Sequence, residues 1–342
     1  MIDKKSVKKI LVIKLRGIGD VVLSTIILDN LKADFPDAQI DYLTDPPSKP
    51  GLEGLSYIHS VITFPRNSTF ERVKLILKIR SNKYDLILDF FTNPSTALIT
   101  FLSGAKFRVG FPYKGRKYAY NYFGPEERSK YHSALLHLIT LEKLSLTHDK
   151  QNLYFKIDGA AKSFAKKNLT NNSLSNSFIV GISPSGGWPS KKCDPEKFAE
   201  IGNEIVNKYS AKILILWGSS DKDDAEKIHN LVPNSFIAPP TTITEMAAFI
   251  KNCDLLIAND SGPMHISTAV GTPVLSLHGP TDPKLQGPFG DKHEWINLEA
   301  LNCIICNLLE CPRNHECFRD LPLEKIMNKI DLLIRKNNLL VQ

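Results

Sequence analysis

Short apolar runs alternate with amphipathic stretches along most of the chain. Residues 9–15 (KILVIKL) form an apolar run; Arg16-Gly17-Ile18-Gly19-Asp20 follows, and residues 21–35 then carry apolar positions at helical spacing. The pattern predicts strand, glycine turn and helix. Residues 40–44 and 61–64 predict two further strands, 70–81 a basic helix, 84–90 (YDLILDF) a strand and 95–102 another helix. Beyond a polar stretch at 160–176, ending NLTNNSLSNS, the rhythm restarts. Strands are expected at 178–183, 212–217, 235–238, 255–258 and 274–277. Helices are expected at 195–208, 222–231, 243–251 and 263–270, with an amphipathic helix at 323–337. Strand–helix alternation implies parallel βαβ units in sheets covered on both faces. The expected organisation is an N-terminal α/β domain over 1–165, a second over 177–322, and a C-terminal helix within 323–342 that packs back on the body.

Residues 104–133 break the rhythm, being short-patterned, basic and aromatic. They contain Arg108, Lys114, Arg116 and Lys117 together with Tyr113, Tyr118, Tyr120 and Tyr122. Two readings stand: a mobile loop facing an acceptor, or an irregular connection whose tyrosines pack on the sheet.

Length and composition agree with two domains, since 342 residues with 42% hydrophobic content supply two ordinary cores. No run approaches the roughly 18 apolar residues of a membrane span. The charged N-terminus leads straight into a strand without a cleavage site, so the cytoplasm is the expected location. The net charge of +7 is uneven. Residues 1–170 hold 27 Lys and Arg against 16 Asp and Glu, or +11; residues 171–342 hold 16 against 20, or −4. Either the first half meets something anionic or its lysines are simply solvated.

Three segments have the residue types of a binding rim. In the first, Gly17 and Gly19 let backbone N–H groups approach a ligand, and Asp20 stands at the start of the following helix. There it serves either as a first-turn acid or as a general base. A dinucleotide fingerprint would need a small residue at Val22, so that match is incomplete. The second is Ser183-Pro184-Ser185-Gly186-Gly187-Trp188-Pro189-Ser190-Lys191-Lys192, small residues at a strand end followed by two cations. It contains neither a Walker pattern nor a serine-hydrolase elbow. The third is Asn259-Asp260-Ser261-Gly262-Pro263-Met264-His265. Asp260 or Ser261 can cap the next helix, Pro263 suits its first turn, and His265 lies beside the N–H groups that a diphosphate would use. Gly279-Pro280-Thr281-Asp282-Pro283 follows the next strand on the same rim.

These segments, in this order, with residues 11–20 and Gly271-Thr272-Pro273, resemble glycosyltransferase family 9, the ADP-heptose:lipopolysaccharide heptosyltransferases. The resemblance implies a GT-B fold, two Rossmann-like domains facing each other across a cleft, the first receiving the acceptor and the second the nucleotide sugar. It implies inverting transfer of heptose from ADP-heptose to a phosphorylated lipid A–core (inner-core) acceptor, with no obligatory metal or other cofactor. It gives Asp20 as catalytic base and Lys191 as the cation that steadies the leaving diphosphate. Gly17, Gly19, Ser185, Gly186, Asp260, Ser261, Gly262 and His265 become substrate contacts, with Asp221 the candidate for the ribose. Peripheral contact with the inner-membrane surface is expected, and nucleic acid is not an expected partner. Other readings are a family-9 enzyme with another nucleotide sugar or a protein acceptor, a nucleotide-binding oxidoreductase, and a non-catalytic nucleotide-sugar-binding protein.

Cys303, Cys306, Cys311 and Cys317 crowd together near His315. One Cys-x2-Cys spacing suits a structural zinc or iron, and a compact turn of buried or redox-labile thiols is the alternative. Cys193 and Cys253 read as isolated small hydrophobes.

Overall fold

The computed structural model describes residues 2–340, and the chain divides between Lys156 and Ile157 into two compact units. The first holds strands β1 (Lys9–Ile13), β2 (Gln39–Thr44), β3 (Ser60–Thr63), β4 (Leu86–Asp89), β5 (Phe107–Gly110) and β6 (Tyr122–Phe123). Its helices are α1 (Ile18–Ser24), α2 (Leu28–Asp34), α3 (Thr69–Ser81), α4 (Pro94–Leu102) and α5 (Ser133–Lys143). The strands lie in the order β3-β2-β1-β4-β5-β6, with every pairing parallel. Four of the five residues of β1 are buried, as a strand covered on both faces requires. The connection changes direction between β1 and β4, so the loop after β1 stands at the topological switch point, where open α/β sheets bind ligands.

The second unit repeats the plan. Its strands are β7 (Ile179–Ser183), β8 (Lys212–Ile215), β9 (Phe236–Ile237), β10 (Leu255–Asn259), β11 (Val274–His278) and β12 (Glu294–Asn297). They lie in the order β12-β11-β10-β7-β8-β9, again all parallel. Its helices are α6 (Gly159–Asn171), α7 (Pro195–Tyr209), α8 (Lys222–Leu231), α9 (Ile243–Lys251), α10 (Gly262–Val270), α11 (Pro283–Gln286), α12 (Glu316–Arg319) and α13 (Leu323–Asn337). Here the switch point lies between β7 and β10, so the loops after these two strands are neighbours. Helix α13 packs into this unit's core through Ile326, Ile330 and Leu333, beside Phe198 and Ile205 of α7. Asp331 joins the two helices by accepting from Lys208 Nζ at 2.8 Å and from the Tyr209 hydroxyl.

Three departures from the sequence pattern have simple causes. The polar stretch at 160–176 is mostly helix α6: Asp158 caps it, and Ala161, Ala165 and Leu169 form a buried stripe at spacing four beneath a run of lysines and asparagines. The stripe is narrow, and Phe164 completes it by packing edge-on to Phe249 of α9, ring centroids 6.1 Å apart. The predicted helix at 21–35 starts earlier and tightens to a 3-10 turn at Thr25–Ile27 between α1 and α2. Residues 104–133 contain β5 and β6, which periodicity does not reveal in so short a run. Of the tyrosines there, Tyr120 packs over Gly110, where a Cβ would sit 2.5 Å from its ring, and donates to buried Asp89 at 2.6 Å. Tyr118 stays exposed.

Candidate functional site

In the first unit the chain leaves β1 through Arg16 and Gly17, both at positive φ (60° and 56°), and enters α1 with Gly17 as its N-cap. A Cβ on Gly17 would stand 2.9 Å from Asp20 Oδ2, so glycine gives the carboxylate its room as well as the turn its backbone. Asp20 lies in the first turn of α1. Its Oδ1 is 3.1 Å from Lys14 Nζ, and its side chain remains 48% exposed while that of Lys14 is 6% exposed. A buried cation thus fixes a solvent-accessible carboxylate. Asp45 braces the turn: it accepts from the Arg16 N–H at 2.6 Å and is gripped by the Arg66 guanidinium. The motif at residues 11–20 contains Lys14 without assigning it a role, and no motif contains Asp45 or Arg66.

In the second unit the predicted residues gather at the β7/β10 switch point. Asn259, fully buried at the end of β10, clips the neighbouring loop: its Nδ2 donates to the Pro184 carbonyl at 2.9 Å and its Oδ1 accepts from the Cys193 N–H at 3.2 Å. Asp260 and Lys191 meet across the switch point at 2.6 Å, both nearly buried. Thr281, from the loop after β11, donates to the same Asp260 oxygen at 2.6 Å. Lys191 also lies 4.0 Å over the Trp188 ring. Burial opposes ionisation of Asp260, but His278, Lys191 and His265 outweigh it and hold its carboxyl below the usual range. His278 is itself kept neutral by burial, down to about 4, whereas the Lys191 ammonium, in direct contact with Asp260, is a compensating charge at neutral pH.

Helix α10 begins just beyond, with Ser261 as N-cap, Gly262 and Pro263 opening the helix and His265 buried in the first turn. Ser261 Oγ is buried, makes no cap and has no hydrogen-bond partner. The N-terminus of α10 and this hydroxyl fit an anionic group, for which they supply unused donors.

The remaining predicted residues assemble around Lys192 rather than Lys191. Lys192 Nζ lies 2.6 Å from Asp221 and 3.1 Å from Asp224, while the Ser185 hydroxyl donates to the other Asp221 oxygen at 2.7 Å. Burial works against the Lys192 charge, but Asp221 and Asp224 overcome it and raise its pKa. Gly186 permits the arrangement, since a Cβ there would come within 2.6 Å of Lys192 Cγ. Consecutive lysines therefore anchor two acids, Asp260 and Asp221, on the two sides of β7. Lys192 and Asp221 are both visible in the sequence, but their pairing is identifiable only from the fold.

The cysteine segment supports the same rim. Ile305 and Asn307 donate their N–H groups to the Gly279 and Pro280 carbonyls, and the Leu309 and Leu308 carbonyls accept from the Ser190 N–H and hydroxyl. It thus buttresses both the turn carrying Lys191 and the loop carrying Thr281. All four thiols are free, and Cys311 Sγ accepts N–H groups from Arg313 and His315 at 3.4 Å each. Burial and the neighbouring Cys311, Cys303 and Cys306 push the Cys317 thiol up to about 12. Among the described residues, no three His, Cys, Asp or Glu side chains are arranged to hold a metal ion.

Buried histidines make a pH prediction. Burial pushes His278 and His293 down to about 4 and holds His137 well below the ordinary value. The unfolded chain binds the protons of His278 and His293 near pH 6.5 and the folded chain only near pH 4, so stability falls as pH drops through that window, and His137 acts in the same direction. Each of the first two accounts for on the order of 3 kcal/mol at the acid end. The melting temperature should decline steadily from pH 6.5 to pH 4; a flat profile across that window would refute the assignment.

Two six-stranded parallel sheets, one with an anion-ready helix start at its switch point, define an α/β protein of two Rossmann-like units. The model of glycosyltransferase family 9 (heptosyltransferase) matches residues 72–315, and the chain belongs to that family; it is a glycosyltransferase. It is 27% identical over 282 residues to lipopolysaccharide heptosyltransferase 3 of Escherichia coli (strain K12), covering 77% of this chain and 80% of the relative. The fold matches a glycosyltransferase family 9 protein from Veillonella parvula DSM 2008 with TM-score 0.85 at 20% identity, covering 96% and 97% of the two chains. It matches E. coli ADP-heptose LPS heptosyltransferase II with TM-score 0.77 at 19% identity, covering 96% and 99%. The fold is therefore GT-B. No helix among the described residues is long and apolar enough to cross a membrane.

Proposed function

We propose that the protein transfers heptose from ADP-heptose to a phosphorylated lipid A–core acceptor, with inversion at the anomeric carbon. The observation that carries this reading is the buried Lys191–Asp260 pair beside the start of α10, a fixed cation next to unused N–H and hydroxyl donors. Ser261, Gly262 and His265 would surround the diphosphate. Lys191 would stabilise the charge that develops on the departing ADP. Asp221, with Ser185 and Gly186, would take the ribose side, exchanging part of its present pairing for a sugar hydroxyl.

In the first unit, Asp20 would accept the proton of the acceptor hydroxyl as that oxygen bonds to the anomeric carbon and the bond to the diphosphate breaks. Gly17 and Gly19 would let the acceptor approach the backbone N–H groups of this turn. The names of the relatives, lipopolysaccharide heptosyltransferase 3 and ADP-heptose LPS heptosyltransferase II, support the donor and acceptor classes. A lipid-borne acceptor places the enzyme at the cytoplasmic face of the inner membrane, as a peripheral protein.

The test is release of ADP from ADP-heptose by the purified protein, with and without a deacylated heptose-accepting core oligosaccharide. Release should require the acceptor. Turnover of a different nucleotide sugar, with none of any heptose donor, would replace the donor assignment. Transfer to a protein instead of the oligosaccharide would replace the acceptor.

A further inference from the structure

Helix α3 is apolar on two opposite faces, and only one of them is covered. Leu75 and Ile79 enter the core of the first unit, joined there by Ile99 of α4, so α3 and α4 cover the same side of the sheet. Phe70, Val73 and Leu77, at helical spacing of three and four, lie on the opposite side of α3 and are 68%, 50% and 61% exposed. Leu98 and Phe101 form the corresponding exposed pair on α4. The two helices are tied by Arg80 Nη1 donating to the Leu102 carbonyl at 3.0 Å, and Phe101 meets exposed Tyr118 with ring centroids 5.4 Å apart. The outward surface of this helical layer is therefore an aromatic and aliphatic stripe, of the kind that ordinary solvated surfaces avoid.

Its surroundings are basic. Residues 66–122 contain eleven Lys and Arg against three Asp and Glu. Of those acids, Asp89 is buried and Asp85 is occupied by the Lys8 and Lys9 N–H groups, leaving Glu71 beside Lys74. Lys74 Nζ lies 4.3 Å over the Phe70 ring, so cation and aromatic share one surface. Next to Tyr118, a groove of about 420 Å³ is lined by Pro112, Lys114, Gly115, Lys117 and Tyr118. Two lysines in a shallow groove at the edge of an apolar stripe suit a phosphate headgroup whose acyl chains lie beside it.

We propose that the outward face of α3 and α4 docks on an anionic lipid bilayer, with Phe70, Val73, Leu77, Leu98 and Phe101 entering the headgroup–acyl boundary and Lys74, Lys114 and Lys117 pairing with lipid phosphates. The apolar stripe supplies the area and the cations select the charge of the surface, the combination by which interfacial helices bind. The proposal deepens the reading of a lipid-borne acceptor and rests on it for its purpose. Its test needs no acceptor, so the two fail separately.

The experiment is co-sedimentation of the full chain with vesicles of phosphatidylcholine alone or mixed with phosphatidylglycerol. The protein should pellet with the mixed vesicles only, and less so as salt is raised. Phe70→Ser/Leu77→Ser should lower the partition coefficient at least about tenfold, and Lys114→Glu/Lys117→Glu about tenfold at low salt. Leu231→Ser, at an exposed position of the second unit, should change nothing. Leu77→Trp tests insertion without removing an apolar group: its emission should shift to the blue with mixed vesicles. Wild-type protein that stays in the supernatant overturns the proposal. So do α3 variants that pellet undiminished, and a homodimer that dissociates on Phe70→Ser with no vesicle binding.

Discussion

Asp20→Asn should abolish detectable transfer while ADP-heptose still binds with wild-type affinity. The substitution keeps the shape and one carbonyl oxygen, so Lys14 retains an acceptor at the 3.1 Å position and the first turn of α1 retains its geometry. What disappears is the basic oxygen. A positioned general base contributes about 10²–10⁴-fold to such a step, and the loss should fall on kcat. The proposed donor contacts all belong to the second unit, so the donor's dissociation constant, read by calorimetry with ADP-heptose in the absence of acceptor, should not move. Lys14 is nearly buried and loses a partner charge, but Asp20 is half exposed, so water compensates much of the difference and the melting temperature should drop only slightly. Transfer by Asp20→Asn at the wild-type rate would eliminate Asp20 as the base. Equal losses of transfer and donor affinity would point to a folding defect instead.

The contrast between Asp20 and its neighbours shows what a sequence can disclose. Asp20 is legible because a strand, two glycines and an acid occur within a few residues. The start of α10 is legible for the same reason: a buried strand ending in Asn259, then Ser261-Gly262-Pro263. The partners of these residues are not local. Lys14 looks like an ordinary strand lysine until β1 places it under α1. Thr281 reaches Asp260 only because β10 and β11 are adjacent, and Asn259 closes on Pro184 and Cys193 only because β10 lies beside β7. Pairing order between strands sets these contacts, and local periodicity carries no record of it. The elements that escaped have a related cause. Helix α6 hides its narrow stripe under polar residues, and β12 has half-buried Glu294 and Asn297 at its two ends, since it is an edge strand.

Lys191→Met should cost both stability and turnover, and the two losses can be separated through its partner. The variant leaves Asp260 buried without its cation while Thr281 still donates to it, and removing one member of a buried ion pair typically destabilises by about 3–5 kcal/mol. Asp260 has its folded-state pKa depressed, so its pairing contributes stability above the unfolded value of 3.8 and loses it as pH falls through the folded value. In the variant, burial without the cation favours the protonated acid, so the deficit relative to wild type should shrink on acidification. Asp260→Asn in the same chain removes the stranded charge and keeps an acceptor for Thr281. The double variant should therefore recover most of the melting temperature. It should not recover transfer, because a positioned charge at the leaving diphosphate is worth about 10²–10³-fold and methionine cannot supply it. If Lys191→Met/Asp260→Asn were both stable and fully active, Lys191 would be a structural counter-ion to Asp260 and nothing more. Loss confined to kcat, in a chain that melts like wild type, would instead separate the chemical role of Lys191 from its role in the fold.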